Sequence, residues 1–264
     1  MKKILVLSLL AVAGVSNAQL FYTGGTAGED FDMITTSTVN NYFSTTVGQQ
    51  SVIAGSTFEG TKIGGTGTAA MNLIADAGVS ATGAIHSLGQ DGSSERALGL
   101  LASGTNIGGI GVNIVNASGS ALASMTVSFK QENWRTSTST LNIMAAAWGR
   151  TGGGMTATDF ITSAAMTPVN DLDLVGPSPV ASNGALNGND PINRFTRSHT
   201  FTFATPLGVG ESLYVRWLDV NDTGNDASLA LDECRITAEP VPEPATLAAL
   251  GLGTLALVRR RRAK

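Results

Sequence analysis

Three features of this 264-residue sequence predict an all-β fold, an antiparallel two-sheet sandwich. Gly is abundant at 32 residues and Pro sparse at 8, with many Ser, Thr and Asn, the composition of short strands joined by tight turns. Several segments alternate apolar and polar residues with a period of two, as half-buried strands do. Strand signals recur every about ten to fifteen residues, which suits two sheets packed face to face.

The elements follow in order. Gln19 to Gly60 is polar and Thr-rich, with Phe21, Tyr22, Phe31, Tyr42 and Phe43 as packing points, and Val39 to Val47 can supply a strand. Met71 to Ala77 reads equally as a short helix or a loop. Ile107 to Val115 is a strand with Ile110, Val112 and Ile114 on one face, and Asn116 to Gly119 turns. Ala123 to Trp134 points Met125, Val127 and Phe129 one way and Thr126, Ser128 and Lys130 the other. Thr136 to Thr140 is a polar break, Leu141 to Trp148 a further strand, and Thr151 to Gly154 a flexible turn. Pro168 to Asp190 is a long loop. Ser198 to Ala204 alternates around Phe201 and Phe203. Ser212 to Val220 sets Leu213, Val215 and Trp217 against Tyr214, Arg216 and Leu218. Asn221 to Asp226 is an acidic turn, and Ser228 to Thr237 closes the domain.

The two ends carry processing signals. Lys2 and Lys3 precede an apolar run from Ile4 to Val15, and Ser16-Asn17-Ala18 is a small-residue cleavage site, so residues 1–18 read as a signal peptide cut between Ala18 and Gln19. At the other end, Val241-Pro242-Glu243-Pro244 stays extended because proline fixes φ and restricts the residue before it. An apolar run, 245–258, makes one short hydrophobic helix of roughly 21 Å against a hydrocarbon core of about 30 Å. Gly251 and Gly253 weaken that helix further. Arg259, Arg260, Arg261 and Arg262 form a basic stop that stays cytoplasmic and leaves the body outside. The domains are therefore the signal peptide 1–18, a secreted β-sandwich 19–238 and a sorting segment 239–264.

The order motif, short span and Arg cluster resembles the PEP-CTERM sorting signal of Gram-negative bacteria that make extracellular polysaccharide. The resemblance implies recognition by a membrane-embedded exosortase, transient residence in the inner membrane, and removal of the tail on the way to the cell surface or matrix. The body, in turn, resembles a group of secreted bacterial proteins with jelly-roll-like ectodomains, many with such tails. The blocks that carry this are Glu95-Arg96-Ala97-Leu98-Gly99, Glu132-Asn133-Trp134-Arg135, Ala185-Leu186-Asn187-Gly188-Asn189, Val215-Arg216-Trp217-Leu218-Asp219 with Gly224-Asn225-Asp226, and Leu229-Ala230-Leu231-Asp232-Glu233. The group more usually has Ile-Asp-Asp where this chain has Leu231-Asp232-Glu233. The group has no firmly assigned biochemical activity, so the resemblance implies fold and location and little chemistry.

Charged residues are 14% of the chain and its net charge is −4, with Arg259 to Arg262 and Lys264 confined to the tail. The body is thus more acidic than the whole, which argues against a nucleic-acid partner. One cysteine, Cys234, excludes an intramolecular disulfide framework; in its apolar strand it reads as a small buried hydrophobe.

The best candidate for ligand chemistry is acidic. Asp219, Asn221, Asp222, Asn225 and Asp226 crowd one turn and Asp232 follows on the next strand, hard oxygen donors of the kind a structural Ca2+ takes. As an EF-hand the segment fails, because its twelfth position is Ala230. The bland reading is a solvated turn with Asx side chains capping their own backbone. Catalytic motifs are missing: no Gly-x-Ser-x-Gly, no His-Glu-x-x-His, and two histidines, His86 and His199, without an acidic neighbour in sequence. No cofactor other than that Ca2+ is expected and the chain does not read as an enzyme. Trp134, at a strand end, is the candidate platform for a glycan, while Trp217 belongs to the core. The function expected is a structural or adhesive protein of the cell surface or exopolysaccharide matrix. A matrix carbohydrate-binding module is the alternative, and a secreted hydrolase with an unrecognised site the weaker one.

Overall fold

The computed structural model of the protein describes residues 17–138 and 140–242. Most of the expected signal peptide, residues 1–16, lies outside the described residues, as do Glu243, Pro244, the apolar run 245–258 and the basic stop 259–262. No helix among the described residues is long and apolar enough to cross a membrane.

The chain is all-β. In order, the strands are β1 (Leu20–Tyr22), β2 (Ala27–Glu29), β3 (Val39–Phe43), β4 (Ser51–Val52), β5 (Phe58–Gly64), β6 (Met71–Asp76), β7 (Ala84–Leu88) and β8 (Ala97–Leu101). There follow β9 (Ile107–Asn116), β10 (Leu122–Arg135), β11 (Ile143–Arg150), β12 (Thr167–Pro168), β13 (Leu174–Val175), β14 (Arg194–Leu207), β15 (Ser212–Leu218) and β16 (Ser228–Pro240). They build two sheets of eight strands. The first runs β12-β11-β15-β9-β5-β4, with β1 added to β9 and β13 to β11; the second runs β14-β10-β16-β8-β7-β6-β3, with β2 added to β16. Pairing is antiparallel apart from β1 on β9 and β6 on β7. Met71–Asp76, ambiguous between helix and loop, is thus a strand, paired in parallel with its successor.

The core lies between the inner faces of the two sheets. Met125, Val127 and Phe129 of β10 face Leu213, Val215 and Trp217 of β15 in one apolar cluster, the period-two alternation of both strands placing every second side chain inside. Trp217 is fully buried, stacked on Phe58 at 6.1 Å and edge-on to Phe129 at 5.5 Å. Its indole N–H donates to Leu172 O at 2.9 Å, so the polar end of the ring is satisfied inside the core.

Both outer faces are partly roofed. On the first sheet, residues 151–166 fold back over β15. Phe160 stacks on Tyr214 at 5.1 Å, and Arg216 donates to Ile161 O and Ser163 O, so the second face of β15 is buried as well. On the second sheet the roof is the segment that precedes β14. Ala185 bridges Arg135 beyond the first residue of β14, Leu186 N–H donates to Trp134 O at 2.8 Å, and the chain then crosses the indole of Trp134. A Cβ on Gly188 would lie 2.2 Å from Trp134 Nε1, so only glycine lets the backbone lie flat on that ring.

Candidate functional site

Beneath this roof the outer face of the second sheet gathers four carboxylates and one guanidinium. Glu132 comes from β10, Asp232 and Glu233 from β16, Glu95 from the turn before β8, and Arg194 from the first position of β14. The alternation of β10 points Glu132 and Trp134 outward, away from the core-facing Phe129. A bulge delivers the β16 pair: Ser128 opposes Arg235 but Lys130 opposes Asp232, so β16 carries one extra residue there, and Glu233 takes φ +45°. The extra residue lets Asp232 and Glu233 reach the same arginine.

Arg194 Nη2 donates to Asp232 Oδ2 at 2.6 Å and to Glu233 Oε1 at 3.0 Å. Its Nε lies 2.9 Å from Glu132 Oε1, a charge contact whose geometry makes no hydrogen bond, and neither atom has another partner. Trp134 Nε1 donates to Glu132 Oε2 at 3.0 Å. Asn189 of the roof donates to Glu95 Oε2, while Glu95 Oε1 is buried without a partner. Glu95, Glu132 and Asp232 each present one oxygen to the others within 4.8 Å.

Burial pushes the Glu132 carboxyl up to about 7, helped by the negative charge of Asp232. Burial likewise raises Asp232 to about 6, with Glu95 adding to it. Burial disfavours the Arg194 charge, but Glu132, Asp232 and Glu233 overcome that and hold its proton more tightly than usual. The cluster is overloaded with negative charge, and one guanidinium does not balance it.

The structure redistributes the residues singled out from sequence. Asp219 is 2% exposed; its Oδ2 accepts the Ala102 N–H at 2.8 Å, tying the end of β15 to the other sheet. Burial, reinforced by Asp226, raises its carboxyl well above the usual range. Asp222 and Asp226 do approach each other, but the Asn142 amide sits between them, donating at 2.6 and 3.3 Å while its oxygen accepts Ala227 N–H at 2.6 Å. Asn221 and Asn225 are exposed, and Asn225 N–H donates to Thr138 Oγ1. Asn142 thus bridges Asp222 and Asp226 at the turn, and Asp232 lies apart from them in the other cluster. Trp134 is fully buried under Gly188, so the expected glycan platform is instead a wall of the acidic site. Ala18 is buried, its N–H on Glu59 Oε1 at 2.7 Å; Gln19 is half-buried beside it. Val241 N–H donates to Ala121 O at 2.9 Å, and Pro242 follows, exposed.

Both histidines have acidic partners that sequence distance hid. His86 Nδ1 lies 2.9 Å from Asp76 and His199 Nδ1 2.7 Å from Asp171. Cys234 is fully buried, and burial pushes its thiol up to about 12. A groove of about 500 Å3 opens beside the roof, with Phe195, Ile192 and Pro177 as apolar walls and Asn133, Asn193 and Arg197 as polar ones.

No curated protein matches the chain. Among solved structures it is similar to the enzymatically active domain of bacteriophage CBA120 tailspike protein 4, at 10% identity and TM-score 0.28, over 56% of this chain and 16% of that one. It is also similar to TmCBM61 in complex with beta-1,4-galactotriose, at 6% identity and TM-score 0.28, over 56% and 74% of the two chains. A third is the Arthrobacter globiformis T6 isomalto-dextranase complexed with panose, at 11% identity and TM-score 0.31, over 81% and 35%. The chain thus spans only a small part of the tailspike. The family described as the PEP-CTERM protein-sorting motif matches residues 240–262. The chain is an exported all-β protein that carries a PEP-CTERM protein-sorting motif.

Proposed function

We propose that this protein is a structural or adhesive component of the cell surface or extracellular polysaccharide matrix, without catalytic activity, delivered there by an exosortase that acts on the sorting motif. The observation that carries the delivery is the motif at residues 240–262, which follows directly on the last strand of the sandwich. The non-catalytic reading is supported by the state of the carboxylates with raised proton affinity. Glu132 is 0% and Asp232 3% exposed, roofed by the segment through Gly188, and a sugar ring has no access to them. Glycoside hydrolysis needs two carboxyl groups on either side of a bound substrate, about 5 to 10 Å apart.

The test is fractionation of the native host with and without its exosortase, with intact-mass analysis of the released protein. A tail removed only in the strain with the enzyme supports the proposal; a protein that keeps Lys264 in both strains overturns the sorting part of it.

A second reading, binding of matrix glycan, is favoured by the groove lined by Phe195, Asn193 and Arg197. Phe195 is 44% exposed, and an aromatic face beside amide and guanidinium donors is the chemistry that holds sugars. Retention of the purified protein on the host's own polysaccharide, lost in Phe195→Ala, supports this reading. Equal retention of the two proteins removes the groove from it.

A further inference from the structure

We infer that Glu95, Glu132 and Asp232 form a binding site for one divalent cation of the calcium type, enclosed between the second sheet and the segment 185–193. The inference is independent of the surface role proposed above and moves the cation away from the Asp219–Asp226 turn.

The first support is geometric. Three carboxylate oxygens that all lie within 4.8 Å of one another leave a centre no more than about 2.8 Å from each. Calcium–oxygen distances are about 2.3–2.6 Å, so an inward shift of a few tenths of an ångström completes three bonds. The donors are all hard oxygens, which selects Ca2+ or Mg2+ over the softer transition metals. They come from three separate segments in an irregular array, which fits the tolerant coordination of Ca2+ better than the strict octahedron of Mg2+.

The second support is the division of labour within each carboxylate. Glu132 is 0% exposed; its Oε2 is held by the Trp134 indole while its Oε1 has no hydrogen bond. Glu95 repeats the pattern, with Oε2 held by Asn189 and Oε1 buried without a partner. Asp232 gives Oδ2 to Arg194. One oxygen of each group is thus oriented by a neighbour. Glu95 thus keeps a buried oxygen without a partner, and Glu132 keeps one whose single contact is the charge of Arg194 Nε at 2.9 Å, in the way outer partners orient metal-ligating carboxylates. Four carboxylates face one guanidinium, and a divalent cation brings the cluster within one charge of neutrality.

The test uses the full chain. Tb3+ stands in for Ca2+ and emits when a tryptophan within a few ångströms is excited; Trp134, bonded to Glu132, is that tryptophan. Saturable Tb3+ emission that CaCl2 displaces is expected, together with a melting temperature higher in CaCl2 than in EDTA. Glu95→Gln, at a half-buried position where folding is least threatened, is expected to weaken the Ca2+ affinity at least tenfold, and Asp222→Asn to leave it unchanged. A melting curve identical in CaCl2 and EDTA overturns the site without recourse to any variant. Binding that survives Glu95→Gln overturns it too, and loss of binding in Asp222→Asn returns the cation to the turn after β15.

Discussion

Replacing Trp134 by Phe removes one N–H and part of one ring, and the structure sets the cost. The indole N–H is a donor to Glu132 Oε2 at 3.0 Å, and both residues are fully buried. Above about pH 7, where Glu132 is ionised, a hydrogen bond to its carboxylate contributes about 1.5–3 kcal/mol, and water cannot reach the oxygen to replace it. The ring of Phe is smaller, and the space left under Gly188 adds on the order of 1 kcal/mol. The expected loss is about 2.5–4 kcal/mol. For a domain of this size each kcal/mol lowers the melting temperature by about 2–4 °C, so Trp134→Phe should melt roughly 5–16 °C lower. The assay is thermal and denaturant unfolding followed by circular dichroism, with Trp148→Phe as comparison. Trp148 is only half-buried and packs on Phe201, so it should cost less. If Trp134→Phe loses under about 1 kcal/mol, or no more than Trp148→Phe, the reasoning fails, because the indole–carboxylate bond would not be the buried link described above.

Gly188→Ala places a methyl group against the indole and should destabilise by about 1–3 kcal/mol, the usual range for overpacking; a neutral effect in the same unfolding assay would show that the roof gives way freely. Asp226 is raised to about 6 by burial, which outweighs the hydrogen bonds from Asn142 and the Asp222 N–H that hold it down. The folded state therefore binds the proton more tightly than the unfolded chain, so its contribution to stability is present below about pH 4 and falls as pH rises through 6. Denaturant midpoints at pH 4.5 and 7 should differ less in Asp226→Asn than in the parent, and an unchanged difference would remove Asp226 from the account. Cys234 should resist alkylation at pH 8 in the native state and react once unfolded; mass spectrometry of rapid native labelling would contradict its burial.

How much of this was legible in the sequence depended on water. Strands whose sequence alternates announce themselves, whether the second face meets water as in β10 or a covering segment as in β15, and β9, β10, β15 and β16 lie close to where Ile107–Val115, Ala123–Trp134, Ser212–Val220 and Ser228–Thr237 placed them. Ala84–Leu88 and Ala97–Leu101 are buried on both faces, so no alternation marks them. Trp134 was misplaced for a related reason. Its neighbours along the chain say strand end, and nothing local reveals that Gly188 will lie on it. The acidic cluster joins residues 95, 132, 194 and 232, which no spacing rule connects. The one trace of it was the set of short blocks shared with other secreted proteins, four of which supply Glu95, Glu132 with Trp134, Gly188 with Asn189, and Asp232. Arg194, the counter-charge, lies in none of those blocks.

The course of β16 has a mechanical consequence. The strand starts at Ser228 beside Arg135 and ends at Pro240 beside Leu122, between β10 on one edge and β2 and β8 on the other. Asp232 and Pro240 are roughly 26 Å apart at about 3.3 Å per residue, so a molecule held by the residues after Pro240 presents its acidic cluster outward, far from the point of attachment. A pull on that attachment acts along the strand axis. It loads the cross-strand hydrogen bonds of β16 together, in shear, where a pull across the sheet would open them one at a time. The sorting segment thus hangs from an interior strand that is hydrogen-bonded along both edges.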